Sequence, residues 1–268
     1  MSGPVTHSIA QQLRARVAAL GDTPSMDDMD HILRLMAKWR SYTLGRTQIA
    51  RHGAIVQRGL FAGMDYGLGN ASEGSLMARL LGIYESSLQP HIEAIMAAGI
   101  DCVIDVGCAE GYYAVGLARR YPHLTVHAHD ISDKARADCA ELAARNGVTE
   151  RVLIGGAFAP EDFQQFADRR VLVLVDAEGA ELDVLRPDLA PALAGMNLVV
   201  ETHDVWRPGA LAEINTRFAP THDIVQVDQT HDDSDLPGWI LELGELDMLL
   251  ATWEWRFRLT PWLVMRPR

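Results

Sequence analysis

The residues with the clearest chemical potential are acids set one after another at the ends of apolar runs. Asp105-Val106-Gly107-Cys108-Ala109-Glu110-Gly111 leaves one such run with small residues at positions 107, 109 and 111. That alternation lets a ligand chain cross the backbone closely while Asp105 meets a cationic group, and the dinucleotide spacing G-x-G-x-x-G is not met. Asp130 ends the next run, about twenty residues on, where an acid accepts hydrogen bonds from a ribose diol. Asp176 closes VLVLVD, and Glu201, His203 and Asp204 close NLVVETHD. Acids and an imidazole at neighbouring strand ends can take a proton from a bound hydroxyl. His203 is the favoured base because imidazole titrates near neutral pH. The plainer alternative makes Gly107 and Gly111 turn residues, Asp130, Asp176 and Glu178 helix caps, and His203 a hydrogen-bonded structural partner.

Only a sheet can bring these residues together. From Asp101 onward seven β-rich runs occur: VIDVG (103–107), TVHAHD (125–130), RVLIGG (151–156), VLVLVD (171–176), NLVVETHD (197–204), HDIVQVDQ (222–229) and TPWLVMR (260–266). The early ones alternate with helix-length stretches, which predicts an α/β fold, Rossmann-like and doubly wound, with a mostly parallel seven-stranded sheet. VLVLV and NLVV are nearly unbroken apolar runs, as strands covered on both faces require. The last run follows a long insertion and is expected as an antiparallel edge strand. Ligands of such sheets bind beyond the carboxyl ends of the strands, near the switch in strand order. The exits carry Gly107, Asp130, Gly156, Asp176, Glu201 to Asp204, and Asp228 to Asp235.

Residues 1–90 read as an N-terminal helical appendage or lid, and 91–268 as the main domain with a helical insertion at about 236–258. The charge changes across that boundary: nine basic and seven acidic side chains before it, 15 and 29 after it. Met29, Ile32, Leu33, Leu35 and Met36, with Trp39 and Tyr42 beyond, give residues 27–44 the spacing of an amphipathic helix that covers the pocket or joins subunits. Phe61 and Met64 read as core, and Tyr66 as a cofactor contact. Trp239, Trp253 and Trp255 of the insertion either roof a pocket or pack in the core or a dimer interface. The acidic stretch 228–235 reads as a solvated loop that could also recruit a cationic acceptor.

The Asp105–Gly111 loop resembles motif I of the class I S-adenosylmethionine-dependent methyltransferases, with Ala109 where a second glycine is usual. Asp176-Ala177-Glu178-Gly179-Ala180-Glu181-Leu182-Asp183-Val184-Leu185, the pattern D-x-E-G-x-E-x-x-x-L, is followed by Val199-Val200-Glu201. It looks like the FkbM-type methyltransferases, which mostly O-methylate natural products and sugars. Together the two motifs span about residues 100–205, and Gly59–Tyr66 with Ser72–Ser75 is similar to the lead-in of some bacterial relatives. The resemblance implies S-adenosylmethionine as cofactor and a small-molecule or glycan acceptor. It assigns Asp105 and Gly107, with Ala109 and Gly111 of the same loop, to the methionine part, Asp130 to the ribose, and Ala157 and Phe158 to the adenine. Some small-molecule O-methyltransferases hold a divalent cation on acids at these two exits, which implies Asp176, Glu201 and His203 as ligands of Mg2+. Without a metal, His203 acts as the base, with Asp176, Glu201 and Asp204 around it. Rival readings are an N-methyltransferase on a small amine, an NAD-dependent oxidoreductase and a domain that binds a cofactor without catalysis.

The composition narrows the setting. Of 268 residues 24 are Lys or Arg and 36 are Asp or Glu, a net charge of −12 that repels a phosphate backbone, so nucleic acid is not an expected partner. No apolar run approaches the length needed to cross a bilayer, and the first twenty residues lack the order of a signal peptide, so a cytoplasmic protein without membrane contact is expected. Cys102, Cys108 and Cys139 show no metal or redox spacing and read as packing residues. A homodimer is the expected assembly for a chain with an added apolar helix.

Overall fold

Cys102–Val106 and Val171–Val175 are buried at every position, and strands this apolar need cover on both sides. In the computed structural model, which describes residues 4–67, 75–256 and 258–268, they lie at the centre of one seven-stranded sheet. Four helices come first: α1 (Pro4–Ala19), α2 (Met26–His52), α3 (Leu76–Leu81) and α4 (Gln89–Met96). Then follow β1 (Cys102–Val106), α5 (Tyr112–Arg120), β2 (Thr125–His129), α6 (Asp133–Arg145), β3 (Val152–Gly155), β4 (Val171–Val175), α7 (Glu181–Val184) and β5 (Asn197–Glu201). The chain ends with α8 (Ala210–Phe218), β6 (His222–Val227), α9 (Gly238–Leu241), α10 (Glu245–Thr252) and β7 (Trp262–Pro267). Each expected run is a strand. Ser72 to Gly74 of the lead-in lie outside the described residues.

The strand order is β3-β2-β1-β4-β5-β7-β6. β1 to β5 pair in parallel, and β7 runs antiparallel to both β5 and β6, slotted between β5 and the outermost strand. The order reverses between β1 and β4, so the switch point lies where Gly107 and Asp176 leave the sheet. Alternate side chains enter two cores: Val103, Leu172 and Val199 face one with α2 to α6, while Ile104, Val173 and Val200 face the other with α7 and α8. Each fully buried Val or Leu contributes roughly 1.5–3 kcal/mol of transfer free energy. The central strands therefore form on their own apolar content, and the polar residues past their ends need contribute little to it.

The N-terminal helices join the first of these cores through Leu44, Leu76, Met77 and Ile92. α2 is longer than the expected 27–44 because Ser25 and Asp28 form a capping box at its start and nothing breaks it before Gly53. Its apolar side is only partly used: Met29 is 50% and Leu33 66% exposed. α10 packs along α2, held by Arg40, whose Nε and Nη2 donate to Asp247 at 2.7 and 2.6 Å. The three cysteines are free and buried. Among the described residues no helix is long and apolar enough to cross a membrane.

Candidate active site

The loop after β1 is shaped by close approaches. Gly107 has φ +87°, and a Cβ there would lie 1.7 Å from the carbonyl oxygen of Asp176, so only glycine lets β1 and β4 exit side by side. Gly111 has φ +90° and a Cβ would meet Cys139 Sγ at 2.6 Å, which is how α5 starts against α6. Ala109 sits in the same left-handed region, φ +47°, at a cost of roughly 1–2 kcal/mol. Asp130 holds that turn. Its Oδ2 accepts from the Ala109 N–H at 3.0 Å and its Oδ1 from the Ser132 N–H at 2.7 Å.

Gly107, Ala109 and Asp130 edge a cleft of about 330 Å3 that also includes Ile131, Ala157, Phe158, Asp176 and Glu178. One end is acidic and the other apolar, as a nucleoside requires. Phe158 is fixed edge-on against His129 at 4.7 Å. Ile131 is 86% exposed at the rim, a contact that spacing alone did not single out although it directly follows Asp130. Asp105 lies beneath the loop, fully enclosed. Burial, reinforced by the charge of Asp130, pushes its carboxyl up to about 7 despite a backbone hydrogen bond that favours ionisation. Its Oδ2 is buried and meets no hydrogen-bond donor among the described residues.

Tyr66 stands elsewhere. It is buried, its hydroxyl donates to Glu110, and Glu110 also pairs with buried Arg79 at 3.3 Å. The Arg79 guanidinium lies 4.2 Å over the Tyr84 ring. Tyr66 therefore braces the loop after β1 from behind and does not line the main cleft, against the expectation of a direct cofactor contact.

A second cavity of about 210 Å3 adjoins the first and shares Asp176 and Glu178 with it. His203, two residues beyond β5 and 4% exposed, lines this second cavity beside the two shared acids. Its Nδ1 lies 2.7 Å from Oε1 of Glu181, which is fully buried and also accepts from the Gly179 N–H at 2.9 Å. Burial opposes ionisation of Glu181, but the hydrogen bonds from His203 and Gly179 outweigh it and hold the carboxyl below its usual range. Burial likewise disfavours the imidazolium, and Glu181, Glu201 and Glu178 together overcome it and raise the His203 pKa. Nε2 points the other way, 3.6 Å from Asp176 Oδ1 and 3.6 Å from Glu178 Oε2. Glu178 is in the left-handed region, φ +48°, and its Oε2 accepts from Trp206 Nε1 at 3.0 Å.

Two acids expected here are engaged otherwise. Glu201 accepts from Arg256 Nη1 at 2.6 Å and from the Thr260 hydroxyl at 2.5 Å. Arg256 also pairs with Glu85 and, at 2.9 Å, with Glu254, so Glu201 belongs to a wall of three acids closed around one guanidinium. Burial and Glu85 push the Glu201 carboxyl up, against Arg256. Asp204 turns away to start α8, accepting from the Gly209 and Leu211 N–H groups at 2.8 and 3.0 Å. Among the described residues the acids and histidine that converge are Asp176, Glu178 and His203, with ligand atoms within 4.8 Å of one another. The expected trio of Asp176, Glu201 and His203 is thus corrected in one member, because Arg256 holds Glu201. The D-x-E-G-x-E spacing carried the signal for Glu178 and Glu181, but an acid near a helix start is explained equally well by the helix dipole.

The insertion splits as the two alternatives anticipated. Trp255, Glu254 and Arg256 line the second cavity, while Trp239 is buried and donates to Gln48 at 2.9 Å. The acidic loop is tied down at Asp232 and Asp235, 3.3 and 3.8 Å from Arg58.

Residues 103–203 match the family model described as a methyltransferase domain. Among solved structures, the chain is similar to a putative O-methyltransferase from Klebsiella pneumoniae, 10% identical over 66% of this chain and 78% of that one, TM-score 0.46. It is also similar to the O-methyltransferase TomG from Streptomyces achromogenes (15% identical, 68% and 78% covered, TM-score 0.44). An rRNA methylase from Streptococcus thermophilus is 14% identical over 66% of this chain and 92% of that one, TM-score 0.43. No curated protein matches the sequence.

Proposed function

We propose that this chain is an S-adenosylmethionine-dependent methyltransferase of the FkbM type that methylates a hydroxyl on a small metabolite or sugar. The observation that carries the reading is the meeting of two cavities at Asp176 and Glu178, with His203 beside them in the second cavity. A donor site and an acceptor site must touch at one point for an in-line transfer, and the switch point between β1 and β4 supplies that point.

The residues present fit the cofactor. When bound, S-adenosylmethionine supplies a methyl group on a sulfonium; its S–C bond breaks as the O–C bond forms, and the electron pair stays on sulfur. The buried, undonated Oδ2 of Asp105 suits the ammonium of the methionine part, and Gly107 allows close backbone passage. Asp130 lies at the ribose end, and Ile131, Ala157 and Phe158 form the apolar end for the base. On the acceptor side Tyr84, Trp206 and Trp255 line the cavity among charged groups, a mixture of aromatic and polar side chains suited to a sugar ring. A hydroxyl must lose a proton during transfer, and the Asp176–Glu178–His203 cluster is what the chain places there. An amine that already carries a lone pair has less need of it.

Calorimetry with S-adenosylhomocysteine and NAD tests the cofactor half, and transfer of labelled methyl to a panel of sugars, alcohols and amines tests the acceptor half. Micromolar S-adenosylhomocysteine binding, weakened at least tenfold in Asp105→Asn, is expected, with label on oxygen. Binding of NAD in its place sinks the reading.

A further inference from the structure

The imidazole of His203 has a geometry that asks for a positive charge beside it. Glu181 accepts from Nδ1, so the proton of the neutral ring is on that nitrogen and the Nε2 lone pair faces two carboxylates. A lone pair aimed at two negative groups is repulsive unless a cation lies between them. A proton on Nε2 answers that charge only at a distance, since at 3.6 Å both carboxylate oxygens are beyond hydrogen-bond reach. A metal ion fits well. With two of the three separations at 3.6 Å and the three groups within 4.8 Å, the point equidistant from the donor atoms lies roughly 2.0–2.4 Å from each, the range of metal–nitrogen and metal–oxygen bonds.

We propose that Asp176, Glu178 and His203 Nε2 bind a first-row divalent cation of the Mn2+ or Zn2+ class, with Glu181 and Trp206 as outer partners that orient His203 and Glu178. The imidazole among the donors moves the preference away from Mg2+, which favours oxygen throughout. The Glu181–His203 contact is the carboxylate–histidine pairing that fixes ring orientation in metal sites. The three ligands occupy one side, so the remaining positions face the cavity where the acceptor hydroxyl arrives. A cation there lowers the cost of releasing the hydroxyl proton to cavity water as the methyl group transfers. The role of the ion rests on the methyltransferase reading; its binding does not.

The full chain, stripped with a chelator, is titrated with Mn2+ while the EPR signal of free Mn2+ is followed, and S-adenosylhomocysteine binding is measured on the same samples. One Mn2+ per chain is expected, displaced by Zn2+, with nitrogen coupling in pulsed EPR that disappears in His203→Gln. Glu178→Gln should weaken Mn2+ at least tenfold, and Glu181→Gln about 10–100-fold, with S-adenosylhomocysteine affinity retained as the sign of an intact fold. If neither Mn2+ nor Zn2+ binds while S-adenosylhomocysteine does, or if Mn2+ binds equally to the Glu178 and His203 variants, the metal site is wrong and the methyltransferase reading stands. If Mn2+ binds site-specifically and the sulfur cofactor does not bind, the metal site stands and the methyltransferase reading is wrong.

Discussion

Two clusters of carboxylates flank the second cavity, and they are held in different ways. Glu85, Glu201 and Glu254 close around the guanidinium of Arg256, with Thr260 and Tyr113 completing their hydrogen bonds. Asp176, Glu178 and Glu181 are gathered around an imidazole, which carries a full charge only when protonated or when an ion joins it. The first cluster is finished in its hydrogen bonds, with burial and Glu85 pushing the Glu201 and Glu254 carboxyls up where one guanidinium cannot balance three acids, and it reads as wall. The second is half open: Glu181 is buried, while the Glu178 side chain is 52% exposed. A site that is to accept a ligand has to leave some of its charged groups facing the cavity, and that difference separates the acids that line a cavity from the acids that work in it.

Breaking the finished cluster should have the largest effect on stability. Arg256→Met leaves three acids with their shared cation removed, and loss of one partner from a buried ion network costs about 3–5 kcal/mol. Chemical denaturation should show that loss, and Arg256→Lys should recover only part of it because a single ammonium cannot fork to three carboxylates. If Arg256→Met unfolds at wild-type denaturant, the wall is not held by this charge.

The open cluster should show the reverse balance. His203→Gln keeps a polar group beside Glu181, so the expected stability loss is about 1–3 kcal/mol, whereas turnover with a hydroxylated acceptor should fall by roughly 10²–10⁴. S-adenosylhomocysteine affinity should stay within a few-fold, because His203 touches the wall of the acceptor cavity. Equal losses in cofactor binding and turnover would place His203 in the cofactor site.

Asp105 sharpens the contrast through pH. Its carboxyl is raised to about 7 by burial, above the unfolded value near 3.9. Between those values the folded chain holds a proton that the unfolded chain has released. This group's contribution to stability is therefore complete below about pH 4 and is lost as pH rises through 7, a change on the order of a few kcal/mol. Asp105→Asn should flatten the fall in unfolding free energy between pH 4 and 8. In the wild type, binding of a cationic ammonium at pH 6 should expel a proton, visible as a dependence of the binding enthalpy on the buffer's ionisation enthalpy.

The β1 side of the molecule is readable in the sequence and the β4–β5 side only in part, for a physical reason. The cofactor loop is local: Gly107, Ala109 and Gly111 are spaced by the needs of one turn, Asp130 closes it from the adjacent strand, and the seven strands announce themselves by their apolar runs. The acceptor wall depends on partners far along the chain. Glu201 looks like the acid that joins Asp176 from the neighbouring strand until Arg256, 55 residues beyond it, takes it, while Glu178 reads only as a helix cap. Asp204 looks like a third acid of the site until Gly209 and Leu211 use it as a cap. Tyr66 looks like a cofactor contact from its glycine-rich surroundings, but Glu110, 44 residues on, takes its hydroxyl. Spacing reveals where an acid leaves the sheet; which neighbour reaches it first is a property of the tertiary structure.

The smallest expected effect tests whether the loop on the readable side is strained. Ala109 and Glu178 both have left-handed backbones without being glycine, one on each side of the switch point. Ala109→Gly removes the Cβ penalty of roughly 1–2 kcal/mol but adds up to about 1 kcal/mol of unfolded-chain entropy. A net gain below about 1 kcal/mol should follow, as a rise of a few degrees at most in Tm. The same exchange at Glu178 would gain as much backbone energy while removing a carboxylate from the His203 cluster, so stability should rise or hold while turnover collapses. Loss of stability at Ala109→Gly would mean that the Asp130 hydrogen bond to the Ala109 N–H, and not glycine-like freedom, decides the shape of the loop.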